Sequence, residues 1–559
     1  MGNPAHTAHR FRPLLAGLAV ALLSVGTTTA APVKTAQGPV QAVDRGPMLS
    51  YFAIPYAAPP VGPLRWKAPQ SAAKWTATRT NIKSAAPCLQ TGISPFRDQN
   101  DREDCLYLDV HTPAGKGPFP VMVWIHGGAF MNGSAVGYAD PTPLVSKGVI
   151  VVAMNYRLGA MGFLGHPALR DAQGASGNYG IMDQQAALRW VKANIKAFGG
   201  EAKNVTIFGE SAGGFSVMSH LASPESAGLF QKAIIQSGAY GVDSQLTQAD
   251  LETRSTTALT KAMTAAGATC PGVALTAACL RALPAAVVKD RLMTAFSTAV
   301  PNIIPSVDAK VLPQTIKATF AAGKNNKVPV INGSNEDESL LFLAMGEMGA
   351  RFAAKPANLD PQNRSFLLSE GAYRLGARGL ATAAGLPITA ITDIHYPLAK
   401  YGSDTALQPS LAAGAAGTDS TFSCNGLNVS KRMANQGSPV WMYEFRDQTA
   451  PPLVGNVGGK YVLTLSQGAA HASELPYVFN MLDLGNAERK ALSTTMSRYW
   501  VNFARTGDPN GADAPKWPAF GTGSLQALDV ESAGGIAPMT GAAFSNQHQC
   551  GTAWSKQAF

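Results

Sequence analysis

Short apolar runs recur along the chain, and each closes on small or polar residues. Residues 121–125 end at His126-Gly127-Gly128, and residues 149–154 end at Asn155. Residues 205–208 end at Gly209, and residues 233–235 end at Gln236-Ser237-Gly238. Residues 328–331 end at Asn332-Gly333, and residues 440–445 end near Asp447. A strand that is apolar on both faces is buried on both faces, as the central strands of a parallel sheet are. Helix-like segments lie between the runs. In residues 183–198, Leu188, Val191 and Ile195 recur at helical spacing. The alternation predicts an α/β fold, a large and mostly parallel central sheet flanked by helices, with functional residues at the strand C-termini. Residues 340–420 are richer in Ala, Leu and Met and lack such runs, which predicts a helical insertion. No internal repeat or long low-complexity linker divides the chain, so residues 31–559 are expected to form one domain.

The N-terminus follows a different rule. His6, His9, Arg10 and Arg12 precede an apolar stretch from 13 to 25, and Thr28 and Ala30 are small residues suited to cleavage. The stretch falls short of the ~18 residues that span a bilayer, so residues 1–30 are expected to be a cleaved export signal and no membrane anchor. Cys88, Cys105, Cys270, Cys279, Cys424 and Cys550 all follow it, and an even count in an exported chain points to disulfides. None of the spacings is of the CxxC type, so no metal is expected. The net charge is +10, or +8 without Arg10 and Arg12, and it is spread along the chain rather than gathered in runs. That distribution argues for a basic soluble protein over a nucleic-acid binder, so no nucleic-acid partner is expected. A charged fraction of 14% argues against long solvated tails.

The chemistry concentrates in two strand ends. Gly209-Glu210-Ser211-Ala212-Gly213 fits the GxSxG pattern of a sharp strand-to-helix turn, with an apolar run before it and small residues after it. Such a turn lifts the serine out of the sheet and places it on a helix N-terminus, whose free N–H groups suit a developing oxyanion. His126-Gly127-Gly128-Ala129-Phe130 ends an earlier strand, and its small residues let backbone N–H groups approach a carbonyl. A serine nucleophile needs a base, and the base needs an orienting acid, in the chain order serine, acid, histidine. His471 lies in the small-residue loop Gly468-Ala469-Ala470-His471-Ala472-Ser473 and is the expected base. His395 and His548 are expected to be surface or packing residues. For the acid, Glu336, Asp337 and Glu338 stand together after the 328–331 run, and composition does not choose among them.

At these residues the chain resembles the type-B carboxylesterase/lipase family, which includes the cholinesterases and bacterial carboxylesterase-like members. Phe52-Ala53-Ile54-Pro55-Tyr56-Ala57 with Pro59-Pro60-Val61-Gly62-Pro63-Leu64-Arg65 is similar to the family's N-terminal signature. Glu103-Asp104-Cys105-Leu106-Tyr107-Leu108-Asp109 is similar to its second. Asn155-Tyr156-Arg157-Leu158-Gly159 and Gly177-Asn178-Tyr179-Gly180-Ile181-Met182-Asp183-Gln184 also match. The resemblance implies the α/β-hydrolase fold and a serine carboxylesterase without a cofactor. It points to Glu338 as the acid, although Ser339 stands where the family usually has Gly. It implies oxyanion donors at the N–H groups of Gly128, Ala129 and Ala212, with supporting roles for Glu210 and Ser237. It further implies disulfides Cys88–Cys105, Cys270–Cys279 and Cys424–Cys550, and ion pairs Arg65–Glu103 and Arg157–Asp183.

The expected reaction is two-step acyl transfer to a small-molecule ester, in a secreted or periplasmic protein whose oligomeric state the sequence leaves open. Activity is expected to fall as His471 is protonated, near the ordinary histidine range of pH ~6–7. The loop between Cys88 and Cys105 contains no Trp, and its one aromatic residue is Phe96, beside Arg97. Because an aromatic face is what attracts a choline cation, neutral short to medium acyl esters are expected to be preferred. Two rival readings are a binding module of the same fold that has lost catalysis, and a lipase- or amidase-type serine hydrolase.

Overall fold

The computed structural model describes residues 31–557 apart from 92–99, 139, 243, 271–274 and 355–358. Residues 1–30, with the expected export signal, lie outside them, as do Phe96 and Arg97.

Eleven strands form one sheet. In chain order they are β1 (Val43–Asp44), β2 (Met48–Pro55), β3 (Tyr107–Pro113), β4 (Phe119–Ile125), β5 (Ile150–Met154) and β6 (Gly200–Glu210). There follow β7 (Lys232–Gln236), β8 (Val330–Asn335), β9 (Val440–Phe445), β10 (Ser524–Leu528) and β11 (Ala537–Thr540). The spatial order is β11-β10-β9-β8-β7-β6-β4-β5-β3-β2-β1. Neighbours from β5 through β10 are parallel, while β11 on one edge and β3, β2 and β1 on the other are antiparallel. The apolar runs are the middle of this sheet. Along β4, Val121, Val123 and Ile125 enter one core, and Met122 and Trp124 enter the core on the opposite face. Burial on both faces is why the run carries no polar alternation.

Helices cover both faces. They include α1 (Tyr179–Asn194), α2 (Ala212–Ala222), α3 (Leu340–Ala353), α4 (Glu370–Ala384), α5 (Gln408–Thr418), α6 (Cys424–Asn435) and α7 (Ala487–Thr506). α1 begins before the helix predicted from residue 183, because Asn178 takes a left-handed turn (φ 53°) that starts the helix at Tyr179. The segment from 340 to 420 supplies α3, α4 and α5, between β8 and β9.

The three disulfides are Cys88–Cys105, Cys270–Cys279 and Cys424–Cys550. Arg65 meets Glu103 at 2.6 Å and Arg157 meets Asp183 at 2.7 Å, both pairs buried. No helix among the described residues is long and apolar enough to cross a membrane.

Candidate active site

β6 ends at Glu210 and α2 begins at Ala212, so Ser211 takes the whole turn. Its φ is +56°, a strained value for a residue with a side chain, and two hydrogen bonds hold it there. Its N–H donates to the Gln236 carbonyl at 2.9 Å, and its own carbonyl accepts from the Phe215 N–H at 2.8 Å. The turn closes only because the flanking residues are small. A side chain at Gly213 would collide with the Ile125 carbonyl, at the end of the neighbouring strand.

The loop after β4 lies against this turn. Gly128 has φ 106°, and the strained positive φ extends to Ala129 (54°) and Phe130 (57°). This path folds the chain back, with the N–H groups of Met131 and Asn132 donating to the Gly128 carbonyl at 2.9 and 3.0 Å. The N–H groups of Gly128, Ala129 and Ala212 have no hydrogen-bond acceptor among the described residues. For Ala212 this is the ordinary state of a first helical residue. The first disulfide segment braces the loop: Thr91 N–H donates to the Met131 carbonyl at 3.0 Å, and Gln90 Nε2 to the Gly133 carbonyl at 2.7 Å.

Of the three candidate acids, Glu338 is the one that meets His471. Its Oε2 lies 2.5 Å from His471 Nδ1, its Oε1 accepts from the Asn335 N–H at 2.8 Å, and its carbonyl accepts the His471 N–H at 3.1 Å. Glu336 instead pairs with Arg446 at 2.8 Å, and Asp337 accepts from Gln448 Nε2 at 2.6 Å. The other imidazole nitrogen, Nε2, has no hydrogen-bond partner among the described residues. It lies 3.0 Å from Glu210 Oε1, close enough for charge attraction but not aligned as a hydrogen bond. Ser211, Glu210 and His471 all line one cavity of about 280 Å³. Its remaining walls are mainly apolar, from Met131, Leu341, Phe342, Met345, Leu453, Leu475 and Met481. Among the described residues the lining carries no Lys or Arg.

These groups shift each other's protonation. Burial disfavours the charged imidazole of His471, but the charges of Glu210, Glu338 and Glu474 outweigh it and hold the group above its ordinary range. Burial raises the Glu210 carboxyl, against the opposing pull of His471. The raised imidazole moves the expected acid limb of activity upward from the pH ~6–7 range of an unperturbed histidine. Ser237 ends β7 with φ 50° and donates its N–H to the Gly333 carbonyl at 2.9 Å. Its hydroxyl is buried and has no hydrogen-bond partner among the described residues.

Several neighbours were not singled out from the sequence. Glu474 is buried and accepts from Asn335 Nδ2 at 2.7 Å and from Gln236 Nε2 at 2.9 Å. Phe342 and Phe422 place their rings 5.1 and 4.9 Å from the His471 ring. The one local signal was spacing, since Phe342 stands a single helical turn after Glu338. His395 is partly buried beside Gln549, and His548, expected as a surface or packing residue, is buried between Asp419 and Glu444. Among the described residues no cluster of His, Cys, Asp and Glu could hold a metal ion.

The profile of the carboxylesterase family matches residues 29–548. The fumonisin B1 esterase of Sphingopyxis macrogoltabida is 34% identical over 509 residues, covering 87% of this chain and 84% of that protein. The para-nitrobenzyl esterase of Bacillus subtilis (strain 168) is 32% identical over 524 residues, covering 89% of this chain and 94% of that protein. A solved PNB esterase superposes with a TM-score of 0.70 at 31% identity, over 93% of this chain and 99% of the other. The chain belongs to the carboxylesterase family and is a carboxylic ester hydrolase with the α/β-hydrolase fold.

Proposed function

We propose that Ser211, His471 and Glu338 form a catalytic triad that hydrolyses neutral carboxylic esters through an acyl-enzyme. The observation that carries this reading is the shared cavity: a strained serine at a helix N-terminus and a histidine whose free Nε2 faces the same space while Glu338 holds Nδ1. His471 takes the Ser211 proton as the oxygen attacks the ester carbonyl. The N–H groups of Gly128, Ala129 and Ala212 receive the oxyanion, each such donor contributing about 3 kcal/mol to the transition state. His471 then protonates the leaving alcohol, and a water that it deprotonates releases the acid. Glu338 keeps Nδ1 protonated and Nε2 free to act. Glu210 acts through His471, by charge.

The wall chemistry supports the preference for uncharged, short to medium acyl esters. Among the described residues Phe342 is the one aromatic ring in the lining apart from the imidazole, too little to box a quaternary ammonium. The same reading takes the chain as exported, with residues 1–30 removed and the three disulfides formed afterwards. Purified wild type and Ser211→Ala are to be assayed on aryl, alkyl and choline esters of one acyl group. The expected result is higher kcat/KM on the neutral esters and loss of turnover on all of them in the variant. A folded Ser211→Ala protein near wild-type turnover contradicts the triad, and a choline preference contradicts the substrate assignment.

A further inference from the structure

We propose that Lys147, Arg498 and Arg505 form a binding site for a phosphate- or sulfate-type oxyanion, at the strand N-terminal end of the sheet, opposite Ser211. The three side chains line a pocket of about 260 Å³ with Asn502, Gly511 and Asp513 among its other walls. Arg498 and Arg505 stand about two turns apart on α7 and so share a face. Lys147 precedes β5, whose first residue is Ile150, and so lies beside a strand N-terminus. Ser211 follows the C-terminus of β6. The intervening parallel strands put the two sites about 17 Å apart or more along the strand direction.

The cations are held in place by backbone oxygens, and among the described residues none of the three meets a carboxylate at ion-pair distance. Lys147 Nζ donates to the Pro143 carbonyl at 2.8 Å, and Arg498 Nη1 to the Asp513 carbonyl at 2.9 Å. Arg505 Nη2 donates to the Lys147 carbonyl. All three bonds go to backbone oxygens, which fix geometry but leave the positive charge uncompensated. The one carboxylate in the lining, that of Asp513, leaves the pocket with a net +2. A guanidinium has five N–H donors, so both arginines keep several free. Burial and the nearby Arg498 pull the Lys147 amine below its ordinary range, the mutual repulsion that a bound anion relieves. Two guanidinium forks and one ammonium suit an anion with several oxygens better than a single carboxylate. A ligand here, whether a free ion or a headgroup on a surface, leaves the catalytic cavity facing away and open.

The test uses the full oxidised chain as wild type, Arg505→Gln and Arg498→Gln/Arg505→Gln. One arm titrates inorganic phosphate calorimetrically at low ionic strength. The other pellets the protein with phosphatidylcholine vesicles, with and without phosphatidylglycerol. The expected result is saturable binding in at least one arm, weakened about tenfold or more in the double variant, with ester turnover unchanged. Phosphate binding alone assigns a free ion, and variant-sensitive pelleting with the anionic vesicles assigns a headgroup. Arg505 is exposed, so its single variant, checked for fold by turnover, carries the test if the double variant is unstable. Absence of binding in both arms, or binding equal in wild type and variants, overturns the proposal.

Discussion

Two histidines of this chain are buried between pairs of carboxylates. His471 has Glu338 2.5 Å from Nδ1 and Glu210 3.0 Å from Nε2. His548 has Asp419 2.5 Å from Nδ1 and Glu444 2.5 Å from Nε2. In both, burial disfavours the imidazolium and the carboxylates more than restore it. They part at Nε2. At His548 it is hydrogen-bonded, and both carboxylates are tied in turn, Asp419 by the Tyr396 hydroxyl at 2.7 Å and Glu444 by Gln547 Nε2 at 3.3 Å. At His471 it has no hydrogen-bond partner among the described residues, and the imidazole lines a cavity with a serine. A charged imidazole satisfied on both nitrogens is a clamp, here one residue from Gln547 and two from the Cys424–Cys550 bridge. An imidazole with one nitrogen unsatisfied can move a proton.

The largest separation of the two is expected from alanine. His471→Ala should lower ester turnover by ~10⁴-fold or more while the protein still folds, because members of a triad act as a unit. His548→Ala should keep turnover per folded molecule within severalfold and lose about 3–5 kcal/mol of stability, the cost of stranding buried carboxylates. Turnover at several esters beside denaturant unfolding reads both, and the reverse pattern breaks the comparison.

The acid gives the next largest effect. Glu338→Gln should lose ~10³-fold or more in kcat, since the amide cannot stabilise the imidazolium or hold its tautomer. Asp337→Asn should lose little, because its carboxylate meets Gln448 rather than His471. A crippled Asp337→Asn beside an active Glu338→Gln transfers the assignment to Asp337.

Titration sharpens the contrast. The folded His548 pKa is raised to about 10 by Asp419 and Glu444 against burial, above an unfolded value of ~6.5. Its contribution to stability is therefore fully present below pH ~6.5 and is lost as pH rises through about 10. Unfolding free energies measured across that window should fall in wild type and fall less in His548→Gln, and parallel curves contradict the clamp. At His471 the same chemistry acts on rate, since the protonated imidazole cannot accept the serine proton. Glu210→Gln removes a carboxylate that favours the charged imidazole, so the acid limb of kcat should move to lower pH by about 1 unit. An unmoved limb separates Glu210 from His471.

Local signals carried the centre of the sheet and the turn at Ser211. The parallel strands are short apolar runs ending in small residues, and a turn of the Ser211 kind requires glycines, as the collision at Gly213 shows. The edges were not legible. β2, near one edge, has partly exposed residues within a buried strand, and the central β6 begins with Glu201, Lys203 and Asn204, which extend the run read from 205. Edge positions are decided by which strand lies alongside. His548 packs inside the protein, one of the two roles expected of it, but its carboxylate partners were not legible for a related reason: Asp419 and Glu444 lie more than 100 residues away in the chain, and nothing near position 548 announces them. Glu338 was reachable only through family resemblance, because three adjacent acids look alike until His471 is brought beside one of them.

The most direct test of the catalytic assignment is to catch the acyl group. Wild type and His471→Ala are mixed with an aryl carbamate, whose acyl-enzyme hydrolyses slowly, then quenched in acid, digested and weighed by mass spectrometry. The account predicts a carbamoyl mass on the peptide containing Ser211, one per wild-type chain, with matching release of the aryl alcohol, and none in His471→Ala over the same time. A carbamoyl group on another residue, or alcohol release by wild type with Ser211 unmodified, contradicts it.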